Sequence, residues 1–236
     1  DQDIQLRLNT EGLRFMRGLL RRSDESVSLT GAIYSGGIFD LSAAVRNFDL
    51  GSLGIFLRNP QLTSRQQGLS GKANFDLHLK GTPADPSISF RSGINNLYFR
   101  QTRIGQVTTS IDYNKQKASI NLIAKQNYTD TIPSFAVNGT LSVNLAFSNV
   151  SERFPDNEQR LEIKSDRFNL NILDPLLPDF DNLSGILKCD VVIGGTPRVP
   201  AYRGTISLSD TRFLFVPNNI NYIVNGELEP KGEQIL

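Results

Sequence analysis

The residues that could do chemistry in this chain are few, and their spacing is poor for it. One cysteine, Cys189, and one histidine, His78, stand far apart in sequence. A nucleophilic thiol needs a basic partner to hold it as thiolate. Cys189 instead lies in Leu187-Lys188-Cys189-Asp190-Val191-Val192-Ile193, in phase with Leu187, Val191 and Ile193. That phase predicts a small buried apolar side chain. With one cysteine, an intramolecular disulfide is impossible. His78 falls on the polar phase of Asp76-Leu77-His78-Leu79-Lys80 and reads as a solvated strand residue. Asp174, Asp179 and Asp181 cluster around Pro175 and Pro178, but without the ligand spacing and sharp Gly turn of a calcium loop. They read as a solvated capping loop. Gly36-Gly37 and Gly194-Gly195 are followed by neither Lys-Ser/Thr nor an opening helix, so they are not phosphate loops. Asn127, Asn138, Asn149 and Asn182 begin glycosylation sequons, as expected by chance in a chain rich in Ser, Thr and Asn. No catalytic residue, no metal ligand set and no cofactor is expected, and the chain reads as a non-enzyme.

The elements that position these residues are strands. Apolar and polar residues alternate through Phe39–Val45, Ala73–Lys80, Lys117–Lys125, Leu187–Ile193 and Ile220–Leu228. The longest series is Phe135, Val137, Gly139, Leu141, Val143, Leu145 and Phe147. A period of two puts every apolar side chain on one face of a strand. A strand of about ten residues spans about 33 Å. The expected fold is therefore all-β, with long, largely antiparallel sheets that are apolar on one side and wet on the other. Helical spacing is scarce. Glu11–Arg22 places Leu13, Met16, Leu19 and Leu20 at helical intervals behind Thr10, which predicts one short helix. Leu50–Leu57 and Leu170–Leu177 predict a turn or two more, ended by Pro60 and Pro178.

The composition, 39% hydrophobic and 21% charged, is that of a folded chain. Lys plus Arg number 25 against 24 Asp plus Glu. This balance gives no basic excess for nucleic acid or an anionic membrane surface. No run reaches the roughly 18 apolar residues of a membrane helix. The chain opens on Asp1-Gln2-Asp3 without a leader and stops at Gln234-Ile235-Leu236, which reads as a fragment of something longer.

An internal repeat organises the strands. Leu69-Ser70-Gly71, Gly81-Thr82-Pro83 and Pro86 recur as Leu183-Ser184-Gly185, Gly195-Thr196-Pro197 and Pro200, each displaced by 114 residues. Leu29-Thr30-Gly31 is a shorter echo. Phe48-Asp49-Leu50 and Phe168-Asn169-Leu170 precede the two full copies, and Tyr98-Phe99 and Phe213-Leu214-Phe215 follow them. The Gly permits a positive φ and each Pro withdraws a donor, so Gly-Thr-Pro-x-x-Pro ends one strand and starts the next. Three units follow: 1–68 with short helices, 69–168, and 169–236. Units of this kind bury their apolar faces by stacking on neighbours.

The composite pattern of Leu-Ser-Gly, long alternating strand, Gly-Thr-Pro-x-x-Pro and aromatic strand resembles the TamB/AsmA-like envelope protein family, in the C-terminal region of its translocation and assembly module subunits. The resemblance is carried by Leu183–Leu228 and, next, by Leu69–Tyr113. It implies strands curled into a long apolar groove, a β-taco, in a periplasmic protein whose full length is anchored in the inner membrane. It further implies phospholipid transport to the outer membrane, outer-membrane protein assembly, and a TamA-like barrel as partner. No nucleic-acid partner is expected. The residues expected to line a lipid-binding groove are Phe75, Leu77, Leu79, Val137, Leu141, Val143, Leu145, Leu187, Val191 and Ile193. Two other readings stand beside this one. A fragment of an outer-membrane β-barrel would show aromatic girdles, whereas here the aromatics are scattered and Trp is absent. An extracellular adhesin or carbohydrate-binding module would present exposed aromatics, for which Tyr98 and Tyr202 are the candidates.

Overall fold

The structure, a computed structural model, describes residues 2–55, 68–99, 102–127, 129–173, 177 and 179–232. Asp174, Pro175, Pro178, Pro60 and the end of the expected Leu50–Leu57 helical stretch lie outside the described residues. The chain is all-β. Its strands are β1 (Gln2–Asn9), β2 (Gly12–Arg22), β3 (Glu25–Tyr34), β4 (Phe39–Asp49), β5 (Leu69–Gly81), β6 (Pro86–Phe99) and β7 (Thr102–Asn114). They continue as β8 (Lys117–Lys125), β9 (Phe135–Ser142), β10 (Arg160–Asn169), β11 (Phe180–Gly195), β12 (Pro200–Phe215), β13 (Ile220–Leu228) and β14 (Lys231–Gly232). The first thirteen form one antiparallel meander in which each strand pairs with its sequence neighbours. β14 continues the β13 side of β12, resuming after Glu229-Pro230. Pro230 has no N–H to give to the ladder, which accounts for the gap. The sheet does not close, since β1 and β13 are not hydrogen-bonded to each other. Twelve steps of about 4.8 Å amount to about 58 Å measured along the sheet from strand to strand. Sequence-drawn boundaries at 68/69 and 168/169 fall at or beside strand ends within this one sheet.

The registers carry the alternating pattern across the whole sheet. One continuous row of facing residues runs Ile4, Gly18, Leu29, Ala43, Leu77, Phe90, Ile111, Ile120, Gly139, Leu161, Ile193 and Tyr202. The adjacent row runs Leu20, Val27, Val45, Phe75, Ser92, Thr109, Leu122, Val137, Ile163, Val191 and Gly204. A register slip of one residue would turn each strand inside out, so this agreement over twelve strands fixes one apolar face.

The expected helix over Glu11–Arg22 is instead strand β2. Its Leu13, Phe15 and Leu20 share the apolar face with Ile33, Gly31 and Val27 of β3. Pairing on both sides overrode a helical spacing already weakened by Gly12 and Gly18. An irregularity between Phe15 and Gly18 changes the phase and produces the helix-like spacing. The other two expected helical stretches appear as short 3-10 helices, Leu50–Ile55 and Leu170–Ile172. Both follow a strand ending in the Phe-Asp/Asn dipeptide. In the second, Asn169 caps the turn by accepting from the Asn171 N–H at 3.0 Å.

The two Gly-Thr-Pro-x-x-Pro turns have the same geometry. Thr82 N–H donates to the Asp85 carbonyl and Thr196 N–H to the Val199 carbonyl, both at 3.2 Å. The Asp85 and Val199 N–H groups return bonds to Thr82 Oγ1 and Thr196 Oγ1, at 3.1 and 3.2 Å. Gly81 (φ +104°) and Gly195 (φ +74°) pair with Pro86 and Pro200. A Cβ on either glycine would strike the carbonyl oxygen of Asp85 or Val199.

Candidate functional site

The site to consider is the apolar face. Phe75, Leu77 and Leu79 on β5, Val137 and Leu141 on β9, and Leu187, Val191 and Ile193 on β11 all lie on it. Val143 and Leu145 do not extend β9, contrary to the alternating pattern. The strand ends at Ser142, and the chain turns away as a strap. Asn144 makes the break, its Oδ1 accepting from the Ala146 N–H at 3.0 Å in an Asx turn. Leu145 N–H donates to Tyr113 Oη at 2.9 Å, and Phe147 N–H donates to the Pro83 carbonyl at 2.8 Å. The Phe147 ring packs on Phe39 with centroids 6.0 Å apart. Tyr113 and Phe39 both belong to the apolar face, so the strap crosses that face at one end of strands β4–β8. Arg153 secures it through the Asn144 and Ala146 carbonyls at 2.8 and 2.7 Å. A side-chain amide two residues before an N–H was the one signal for this turn in the sequence.

At the other end of the same strands, Leu50 of the first 3-10 helix is buried with Ala73, Leu97, Val107 and Ala124. Phe48, Phe75, Ile94, Leu122 and Phe135 pack around that cluster. The second 3-10 helix packs on β11 and reaches β7, four strands away in the sheet order. That helix therefore bridges strands that a flat sheet would hold about 19 Å apart.

Between these covered ends the face is poorly buried. Leu77, in the middle of its row, is 37% exposed. Val27, Ile33 and Leu20 are exposed to a similar degree, and Ile4, Leu6 and Leu8 on β1 more so. Few large side chains on this face are buried. The total accessible surface is 15,180 Å², against about 10,600 Å² for a compact monomer of this mass.

The opposite face is polar and internally paired. Arg46 pairs with Asp76 at 2.5 Å, Arg91 with Asp112 at 2.7 Å, and Lys164 with Asp190 at 3.5 Å. His78 Nε2 lies 2.9 Å from Asp40 Oδ1, and Lys80 lies 3.4 Å from the other oxygen. The hydrogen bond from His78, aided by Lys80, holds the Asp40 carboxyl below the usual carboxylate range. Arg91, aided by Ser89, does the same for Asp112. These cross-strand pairs are solvent-exposed and suit a wet outer surface rather than proton transfer.

Comparison with protein-family models, with curated proteins and with solved structures finds no match. The chain's own geometry therefore carries the functional reading. Cys189 is buried beside Ser165 and Ile206, and burial, reinforced by Asp190, pushes its thiol up. Such a thiol is a poor nucleophile at neutral pH. Among the described residues no three His, Cys, Asp or Glu side chains are grouped to hold a metal ion. Asp181 accepts from the Asn182 N–H, and the Asp179 carbonyl from Val216, so both serve the backbone of β11 and its neighbour. Tyr98 is exposed and Tyr202 half-buried, on different strands. Among the described residues no helix is long and apolar enough to cross a membrane.

Proposed function

We propose that this chain is a non-catalytic segment of a lipid-handling scaffold, whose curled, repeat-built sheet holds acyl chains against its apolar face. The observation that carries this reading is the apolar row running unbroken over twelve strands, with Leu77 more than a third exposed at its middle. No second layer of helices or strands covers that row among the described residues. Leaving so much apolar surface in water is costly, at about 25 cal/mol per Å². Such a face marks an interaction surface. Acyl chains satisfy it without directional polar contacts, and a groove lined by Leu, Ile, Val and Phe has none to offer. The matched Gly-Thr-Pro-x-x-Pro turns support two equivalent units built along one sheet.

By its resemblance to the TamB/AsmA-like family, the segment works in the periplasm as part of an inner-membrane-anchored protein. There it supports phospholipid transport to the outer membrane, outer-membrane protein assembly, or both, with a TamA-like barrel as partner. Scattered aromatics and the absence of Trp favour this reading over a fragment of a membrane barrel, which would carry aromatic girdles.

The test is native mass spectrometry of the purified chain, followed by lipid extraction. Co-purifying phospholipid is the expected result, with occupancy reduced in Leu77→Arg and Phe90→Arg, because a buried unpaired charge is not tolerated among acyl chains. Both positions are half-buried or more exposed, so circular dichroism should report a retained sheet. A lipid-free chain, or equal occupancy in the folded variants, would overturn the proposal.

A further inference from the structure

On the polar face, most cations described above sit beside a carboxylate, but at the β1–β2 hairpin the pattern breaks. Arg7 of β1 and Arg14 of β2 are directly opposed in the register. Side chains so placed have Cβ atoms about 5 Å apart, and like charges there repel. Among the described residues neither guanidinium has a carboxylate within ion-pair distance. The next residue along this polar row is Ala32 of β3, which is small and buried. In the adjoining row Gly12 stands between Asn9 and Tyr34. Two arginines therefore flank a floor made of Gly12 and Ala32, and the result is a recess of about 240 Å³. Tyr34, 41% exposed, and Glu11 complete its walls.

We infer that this recess binds a phosphorylated polyol. Two guanidinium forks suit the oxygens of one phosphate group, which would also remove the repulsion between them. Glu11 cannot face the phosphate favourably, but its carboxylate accepts from a hydroxyl, and the Tyr34 phenol supplies one more donor. The recess thus selects a phosphate ester bearing free hydroxyls over inorganic phosphate. Its volume is of the order of a glycerol phosphate. The same chemistry reaches the site either as a free polyol phosphate or as a lipid headgroup. The same hairpin end carries Leu8, Leu13 and Ile33 on the opposite, apolar face. A headgroup rounding the turn would therefore leave its chains beside that face. The site itself does not depend on the acyl-chain reading.

The experiment is calorimetric and NMR titration of the intact chain with glycerol 3-phosphate, inorganic phosphate and short-chain phosphatidylglycerol. Glycerol 3-phosphate should bind at least tenfold more tightly than inorganic phosphate. Arg7→Gln and Arg14→Gln should each weaken it at least tenfold, and Glu11→Gln should bring the two affinities within about twofold. The two Arg→Gln variants should melt no lower than the parent when ligand is absent, because each removes a repulsion. Phosphatidylglycerol binding tenfold tighter than glycerol 3-phosphate would support the site with a lipid as its source. Equal affinities would support it with a free polyol phosphate as its source. No saturable binding of glycerol 3-phosphate and phosphatidylglycerol, or binding that survives both Arg substitutions, would overturn the inference.

Discussion

At the residue scale, Thr211 and Cys189 report how the apolar face is built, and Arg91 how the wet one is. Thr211 is buried on that face, paired with Val224, and its Oγ1 has no hydrogen-bond partner among the described residues. The position 114 residues earlier, in the first Gly-Thr-Pro copy, is Leu97, which is buried and apolar. An unsatisfied buried hydroxyl costs about 1–3 kcal/mol. Thr211→Val should therefore raise stability by about 1 kcal/mol, read as a higher denaturation midpoint at unchanged m-value. Cys189 should resist iodoacetamide at pH 8 in the folded chain and react once the chain is unfolded, since burial raises its thiol pKa. Rapid labelling of the native protein would place it outside the core. On the wet face, Arg91→Gln should let the Asp112 carboxyl titrate closer to its ordinary range, as followed by carboxyl NMR shifts. The sign follows from a depressed acid. The Arg91–Asp112 contribution is present above the unfolded carboxylate pKa of about 3.9 and fades as pH falls through the lower folded value. Both side chains are about half exposed, so its size is no more than about 1 kcal/mol.

At the element scale, the strap at residues 143–148 and the two Gly-Thr-Pro turns set the ends of the strands. Tyr113→Phe removes the acceptor of the Leu145 N–H and should cost about 1–3 kcal/mol. Faster proteolysis between 143 and 159, with the rest of the sheet intact, would be the matching local readout. Gly81→Ala and Gly195→Ala should each cost about 1–3 kcal/mol, because φ is positive and the added methyl meets a backbone carbonyl. These turns were legible in the sequence. Gly, Thr and Pro each impose a definite backbone demand, and the demand recurs 114 residues later. The shared face of the eight strand-borne candidates was legible for a similar reason, since a period of two assigns a face without knowledge of the neighbour. Val143 and Leu145 fall outside the strand although alternation continues past Ser142, because β9 ends there, the Val143 N–H to the Gln116 carbonyl being the last bond on that side before the chain turns. Only Asn144 marks the change, through a bond that any Asn may or may not make. β2 was misread because an irregularity shifts its phase, and one sequence window cannot distinguish a phase shift from a helical period. The Arg7–Arg14 opposition depends on register, which the sequence does not display.

At the scale of the whole molecule, the open sheet should be visible in solution. A compact chain of 236 residues has a radius of gyration of about 17.5 Å. Small-angle scattering should return a larger value, given an open sheet with an accessible surface of 15,180 Å². A radius at the compact value would mean that the apolar face folds shut on itself, and the acyl-chain reading would lose its groove.

The strictly sequential strand order has a kinetic consequence. Every hairpin closes a loop of only a few to about twenty residues, so no strand waits for a distant partner. Most native contacts join residues at least 12 positions apart, yet every strand pair of the meander is between sequence neighbours, so the usual slowness of β proteins should be relieved. A chain entering a compartment from its first residue onward could add one strand at a time to a growing edge, each addition burying the previous edge. The advancing edge, rather than the finished sheet, would then be the species most exposed to mispairing.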